Sequence, residues 1–525
     1  MDKIDEAIRS GRHINLKYPE INSDTWEGFY KDAKEKKVIL FSIDIETTNC
    51  LEQYGAFVSK VVDNDPRKWG VETKSLMYNS GKFAMGNIKA ESPEAILECA
   101  TEDTVIMISS IRYYEDIIEQ VKKMGNYKCY VLLALEANRR SQAGYQELED
   151  PDFLLAKRFS KEPIESNKIL FYDYGTYSGH GKYISEKLLA SGKDIDIVWA
   201  VRDPKTTVPE GMRVVYIWDR ENYIREVETA KIWVFDYVLP TFFIKRPEQI
   251  YINVKHWASI TLKTFGLVME KRQERNREDQ FIKNGEKMDY VIVGSDFDKE
   301  SCRSGYAFNG EFLNFGSSRS DILFDEKFCR KKIYTHYGID EDVKLLLYAP
   351  TFRYISKGVL SHRIQIDLDF EKIAGVLESS FGGKWKILLR LHPNVMKDAH
   401  KINKPDCVID VSTYPDSQEL TGACDMMVTD YSSIMFEPAF VKKPVFLFAT
   451  DLEEYLKEER DLLLDYKSLP FPIAHTHKKL EENLQQFNYE SYVSGLESFF
   501  EKYGVHEDGH ASERAAEFIV GLLNC

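Results

Sequence analysis

At 525 residues, with 43% of them apolar and 30 Phe beside 30 Tyr, the chain has the length for about three domains and ample side chains for sizeable cores. A formal net charge of −15 argues against nucleic-acid binding, which needs a basic surface, and against adsorption of the whole surface to anionic lipid. Eight scattered cysteines without a C-x-x-C pair, no apolar run long enough to span a bilayer, and a start (Met1 to His13) without an apolar signal core imply reduced thiols, no zinc site and a cytoplasmic chain.

Short apolar runs alternate with helical patterns almost throughout, as in parallel sheets covered by helices. In a first block, Val38–Ile43, Phe57–Val62 and Thr104–Ile108 read as strands. Ser110–Met124 reads as an amphipathic helix stopped by Gly125, and Cys129–Leu135 as a further strand. A dinucleotide fingerprint would follow the first strand, but Asp44-Ile-Glu-Thr-Thr-Asn-Cys50 stands there. Without glycines the backbone keeps its distance from a pyrophosphate, and Asp44 and Glu46 would repel one. Asp63 stands about where a ribose-binding acid would. The charged, aperiodic stretch 136–166 reads as a linker. The basic run Lys271–Arg277 reads as a solvated helix face, with a local lipid contact as its alternative.

A second block opens with the strand Lys168–Tyr172 and a loop, Asp173 to Gly181, shaped by Gly175, Gly179 and Gly181. A helix (Ile184–Ala190) and strands at Ile195–Ala200, Val214–Ile217 and Ile232–Phe235 follow. The third block holds strands at Lys344–Tyr348, Lys386–Arg390, Met426–Val428 and Pro444–Phe448, with a helix at Ile434–Phe440. Two consecutive α/β blocks predict two facing Rossmann-like lobes, with ligands bound beyond the carboxyl ends of the strands.

Three strand ends in the third block carry phosphate-compatible groups. Between Met426–Val428 and Ile434–Phe440 lies Asp430-Tyr431-Ser432-Ser433. One hydroxyl there would cap the helix; two adjacent serines beside free N–H groups would also suit a phosphate. Tyr348-Ala-Pro-Thr-Phe-Arg353 ends another strand with a hydroxyl and a guanidinium, and Leu388-Leu-Arg-Leu-His-Pro-Asn394 ends a third with Arg390 and His392. Arginine binds phosphate oxygens in pairs, and histidine donates to them or relays a proton. Asp367-Leu-Asp369 has the D-x-D spacing of metal-dependent glycosyltransferases, but it lies in a charged loop outside these strands.

"YAPTFR", "RLHPN", "DVSTYPDSQELTGACDMMVTDYSSIMFEPAFVKKPVFLF" and "DGHASERAAEFI" resemble the bacterial CDP-glycerol glycerophosphotransferase family, which builds teichoic-acid and capsule polymers. The resemblance covers about residues 168 to 525. "YVLPTFFIKRPEQIYINVKHWASITLKTFG" and "FGSSRSDILF" match more loosely. It implies an α/β GT-B fold, with 167–335 as the acceptor lobe and 336–525 as the CDP-donor lobe. "VVDNDPRKWG", "SPEAIL" and "MISSIRYYEDIIEQVKKMG" resemble a Rossmann-like module fused to some surface transferases, which makes 1–160 an additional, degenerate Rossmann-like domain with its linker.

The resemblance further implies that Arg390, His392, Ser432 and Ser433 hold the donor diphosphate, that Thr351 and Arg353 line the site, and that Glu419 and Asp430 orient the ribose or the phosphate loop. The family's base lies in a Trp-His-Gly run before Leu-Lys; here His256-Trp257-Ala258 precedes Leu262-Lys263, so His and Trp are exchanged and Gly is Ala. His256 is the base implied, with His180 in the glycine-shaped loop behind it. The implied reaction moves glycerol phosphate or a related alditol phosphate from CDP-glycerol or CDP-ribitol to a hydroxyl of a lipid-linked or capsular polymer. It releases CMP and calls for no cofactor and no metal. The protein would be cytoplasmic, in peripheral contact with the inner membrane face. The alternatives are a GT-B glycosyltransferase using a nucleotide sugar, and a catalytically weak nucleotide-binding subunit of a capsule assembly complex.

Overall fold

The computed structural model describes residues 18, 21–42, 58–70, 88–110, 113–142, 151–268, 278–354, 362–363, 366, 368–392, 395, 402–458 and 461–523. Contacts divide the chain into two units, Met1–Asp150 and Pro151–Cys525.

The first unit has one parallel sheet of β1 (Lys37–Phe41), β2 (Val58–Val62), β3 (Ala90–Glu91), β4 (Thr104–Ile108) and β5 (Lys128–Val131) in the order 3-2-1-4-5. Strands β1 and β4 are apolar and buried almost end to end, as parallel strands covered on both faces must be. The helix Tyr114–Met124 ends at Gly125 as its sequence predicts. Two expectations need correction. The apolar run from Cys129 leaves the strand after Val131 and continues as a helix, Leu132–Gln142; a short apolar run carries no period that separates the two. The expected linker also contains the helix Pro151–Phe159. Asp63 is buried, and its carboxylate accepts from Lys68 Nζ at 2.6 Å and from the Asp65 N–H at 3.0 Å. Residues 44–50, the basic run 271–277 and Asp367 lie outside the described residues.

The second unit contains two parallel sheets. The first comprises β6 (Glu165–Tyr172), β7 (Asp196–Val201), β8 (Met212–Tyr216), β9 (Ala230–Phe235), β10 (Ile250–Asn253), β11 (Tyr290–Val293) and β12 (Glu311–Asn314), in the order 12-11-10-9-6-7-8. The second comprises β13 (Val343–Ala349), β16 (Lys384–Leu389), β17 (Val408–Asp410), β18 (Met426–Thr429), β19 (Val445–Phe448) and β20 (Ile473–Ala474), in the order 17-16-13-18-19-20. A two-stranded antiparallel ribbon, β14 (Arg353–Tyr354) with β15 (His362–Arg363), follows β13.

Counted from its own first strand, the first sheet runs 3-2-1-4-5-6-7 and the second 3-2-1-4-5-6, so each reverses direction between its first and fourth strands, where doubly wound sheets bind ligands. The switch points therefore fall between β6 and β9 and between β13 and β18. A seam joins the two halves: Ala258, Ile260 and Leu262, which follow β10, are buried in the same cluster as Met435, Phe436 and Leu447 of the second half. Trp257 packs the other way, with Phe265 and Tyr306 of the first half. Among the described residues no helix is long and apolar enough to cross a membrane.

Candidate active site at the two switch points

At the β13–β18 switch point, Asp430 organises the loop. Its Oδ1 accepts from the Thr351 N–H (2.9 Å), the Thr351 hydroxyl (2.5 Å) and the Tyr431 N–H (2.6 Å), while Oδ2 meets Arg353 Nη2 at 3.0 Å. Arg353 also grips Asp451 through Nε (2.8 Å) and Nη2 (3.0 Å), and donates to the Thr351 carbonyl. Tyr431, stacked on Tyr455 at 3.8 Å, donates to Asp451, and Tyr466 donates to the Asp430 carbonyl. Burial opposes the charge on Arg353, but Asp451 and Asp430 outweigh it and raise its pKa. This guanidinium is 3% exposed and committed to two carboxylates, so it braces the loop instead of offering its fork to a ligand.

Arg390 is differently placed. Its Nη1 donates to the carbonyls of Val411 (3.3 Å) and Tyr414 (2.9 Å), and among the described residues no carboxylate pairs with it. Burial pushes its pKa below the usual arginine value, against the opposing charge of Asp416. His392 is exposed and packs its ring 4.5 Å from that of Phe352.

The two serines divide their work. Ser432 caps the short helical segment that runs from a 3₁₀ turn (Ser433–Met435) into Phe436–Phe440, accepting from the Ile434 N–H at 3.4 Å. Ser433 accepts from the Leu262 N–H at 2.9 Å and so fastens the seam. The Ser433 hydroxyl also meets that of Thr261 at 3.5 Å. Glu419, 3% exposed, accepts from Lys182 Nζ (3.2 Å), Lys332 Nζ (2.6 Å) and the Tyr414 hydroxyl. Lys182, on the helix Gly179–Ala190 of the first half, also meets Asp416 at 2.5 Å, and Tyr183 donates to the same carboxylate at 2.9 Å. Asp416 caps the helix Ser417–Ala423; burial would raise its pKa, but Lys182 and Tyr183 bring it below the usual carboxylate range. Glu419 thus belongs to a cross-half ion network, a place that "YPDSQEL" alone did not disclose.

At the β6–β9 switch point, the register of Tyr172 against Phe235 sets Asp173 beside Asp236 just past the strand ends. Burial, then the neighbouring carboxyl, pushes Asp173 well above the usual range, and burial pushes Asp236 up to about 7. Asp173 Oδ2 and Asp236 Oδ2 are buried and, among the described residues, accept no hydrogen bond from another group, as expected of a pair that retains a proton. Gly179 (φ +63) crosses here because any Cβ would overlap the Asp173 carboxyl.

His256 lies on the loop after β10, exposed, with its ring 5.9 Å from that of Tyr237 and 6.4 Å from that of Tyr174. Trp257 points into the first-half core and donates from Nε1 to Asp298 at 2.8 Å. His180, 1% exposed, contacts the Trp257 carbonyl through Nε2 at 2.8 Å. Burial, reinforced by Lys255 and Arg319, holds it well below the usual histidine pKa, so the neutral ring donates from Nε2 and leaves Nδ1 unprotonated. Sequence reasoning passed over Arg319, in the loosely matching "FGSSRSDILF". It donates to the His256 carbonyl (2.7 Å) and pairs with Glu437 of the second half at 3.0 Å. Among the described residues no group of three or more His, Cys, Asp or Glu is placed to hold a metal ion.

A family model described as CDP-glycerol:poly(glycerophosphate) glycerophosphotransferase matches residues 154–521. The teichoic acid glycerol-phosphate transferase of Staphylococcus aureus (strain NCTC 8325 / PS 47) is 28% identical over 396 residues, covering 71% of this chain and 97% of that one. The teichoic acid poly(glycerol phosphate) polymerase of Staphylococcus epidermidis (strain RP62A) is 27% identical over 381 residues; 68% of this chain spans only 51% of that longer protein. A structure of a variant of the wall teichoic acid polymerase TagF soaked with CDPG matches with a TM-score of 0.63 and 25% identity, over 74% of this chain and 97% of that one. The matched fold is of the GT-B type, two parallel α/β halves with a seam between them.

Proposed function

The chain belongs to the CDP-glycerol:poly(glycerophosphate) glycerophosphotransferase family, and on that premise we propose that it transfers glycerol phosphate or a related alditol phosphate from a CDP-activated donor to a hydroxyl of a teichoic-acid or capsule polymer, releasing CMP. One observation carries this reading most directly. At the second switch point Arg390 has only carbonyl partners among the described residues, one strand away from β13, while Ser432 and Ser433 follow β18 on its other side. A guanidinium without a carboxylate, beside two hydroxyls at a helical start, suits a diphosphate.

In this reading residues 336–525 hold the donor, residues 167–335 receive the acceptor, and residues 1–160 form a scaffold. Arg390, His392, Ser432 and Ser433 take the diphosphate. Asp430 and Arg353 hold Thr351 and the loop in place, and Glu419 keeps the halves in register through Lys182. The acceptor oxygen attacks the alditol-phosphate phosphorus, the bond from that phosphorus to the bridging oxygen breaks, and CMP leaves with the electron pair. His256 takes the acceptor's proton. Positioning and charge stabilisation supply most of the rate in such a step. A lipid-linked or capsular polymer, met at the inner face of the membrane, is the acceptor.

Incubating the chain with CDP-glycerol, CDP-ribitol and a panel of nucleotide sugars, then weighing the products by mass spectrometry, tests this. CMP release with a mass gain of one or more alditol phosphates is expected. A hexose gain would make the protein a glycosyltransferase, and nucleotide binding without turnover would make it a binding subunit.

A further inference from the structure

The loop that follows β10 is held in an unusual way. Four consecutive carbonyls, those of His256, Trp257, Ala258 and Ser259, accept from side chains: Arg319 Nη1 at 2.7 Å, His180 Nε2 at 2.8 Å, Lys255 Nζ at 3.1 Å and Ser295 Oγ at 2.6 Å, respectively. Lys255 turns the chain into this loop with φ +48 and is wholly buried against Asp298, at 3.0 Å. The N–H groups of Trp257, Ala258, Ser259 and Ile260, by contrast, donate to no described residue, although all four residues are buried. Native chains pair more than about nine in ten of their buried backbone N–H groups, so four unpaired in succession call for an acceptor.

Further unpartnered polar atoms border the same loop. Arg319 Nε and Ser318 Oγ are buried and make no hydrogen bond among the described residues. Arg319 is tied at once to the His256 carbonyl and to Glu437, four residues beyond Ser433. Ser433 itself is bonded to Leu262 at the far end of the loop. The unpaired donors therefore adjoin the segment that carries the proposed diphosphate residues. Their charge setting also favours an anion. The nearby carboxylates are engaged: Asp298 by Lys255, Glu437 by Arg319 and Gln418, Glu507 by Ser259 and the Ser317 N–H, and Asp173 beside Asp236, where burial and the neighbouring carboxyl push its pKa up. The charge of Arg319 reaches Arg390 across the seam, adding a little to the effect of burial on its pKa, while Asp416 acts more strongly the other way.

We propose that the N–H groups of residues 257–260, together with Arg319 and Ser318, form the cradle for the phosphoryl group being transferred, so that the donor's two phosphates divide between the halves. Arg390 and the serines take the CMP phosphate, and the first-half loop takes the distal one. This inference rests on the CDP-donor reading and deepens it. Fixed backbone donors stabilise charge that develops on the equatorial oxygens without reorganising during the step. The side-chain clamps on the four carbonyls then have a purpose, since they hold the opposite sides of those peptides still.

Calorimetric affinities for CDP and CMP separate the two ideas. The unaltered chain should bind CDP more tightly than CMP. Arg319→Gln, Ser318→Ala and an ester in place of the Ala258 amide should each reduce that preference, by roughly tenfold or more for Arg319→Gln, while CMP affinity is retained. Retained CMP binding also shows that each variant is folded. A CDP preference that survives all three changes, or no preference in the unaltered chain, overturns the cradle alone. Binding of neither nucleotide by the unaltered chain overturns the donor reading and the cradle with it.

Discussion

Truncating Arg353 would leave the buried Asp430 and the half-buried Asp451 without their shared guanidinium. Arg353→Ala should therefore cost about 3–5 kcal/mol of stability, read as a shifted urea midpoint. Arg390 braces no carboxylate among the described residues, so Arg390→Ala should leave that midpoint nearly unchanged and weaken CDP binding by about 1.5–3 kcal/mol. The opposite pattern would exchange their roles. His256→Ala should lower turnover by about a hundredfold or more with little change in donor affinity, because in the proposed mechanism the imidazole serves only the acceptor's proton. Turnover indifferent to the change would remove His256 and turn attention to the bare Nδ1 of His180. Both arginines end apolar strands in the sequence, and that much was legible. Which one is spent on carboxylates was not, because Asp451 lies 98 residues from Arg353 and no local pattern announces the pair.

Among the elements, the strands were the more readable part, because β1, β4, β13, β18 and the second half of β6 are largely buried apolar runs. Short strands such as β10, β12, β17 and β20 were missed, since two to four residues carry little pattern. The seam was hidden too. Ser259 donates to Glu507, whose carboxyl also accepts the Ser317 N–H at 3.1 Å, so one acid from the C-terminal segment joins the loops that bear His256 and Arg319. Burial raises Glu507 to about 8 from an ordinary 4.5. A raised folded-state pKa means that the folded chain holds the proton more tightly than the unfolded one. The contribution is therefore fully present below about pH 4.5 and is lost as pH rises through about 8. Glu507→Gln keeps an acceptor for Ser317 and never ionises. Its urea midpoint should match the parent's at pH 5 and exceed it progressively toward pH 9; parallel curves would show that Glu507 ionises normally.

For the molecule as a whole, the question is which unit the activity needs. The first unit closes its own core: Phe29, Leu40, Ile106, Ile118 and Tyr130 share one cluster drawn entirely from residues 18 to 135. The clusters around the two sheets of the second unit are likewise drawn only from residues beyond 150. Every residue assigned to donor, acceptor or cradle lies in the second unit, within the span of the family match. In the first unit, the acid at the end of β2, Asp63, is already bound by Lys68 and is not left for a ribose. Residues 151–525 produced alone should therefore stay soluble, bind CDP as tightly as the full chain and release CMP from the donor at a similar rate. Residues 1–150 produced alone should bind neither NAD nor NADP in an equilibrium titration. Loss of CDP affinity on removing the first unit, with a cooperative unfolding transition still present, would show that the scaffold reaches the donor site. Clear dinucleotide binding by residues 1–150 would instead give that sheet a ligand of its own.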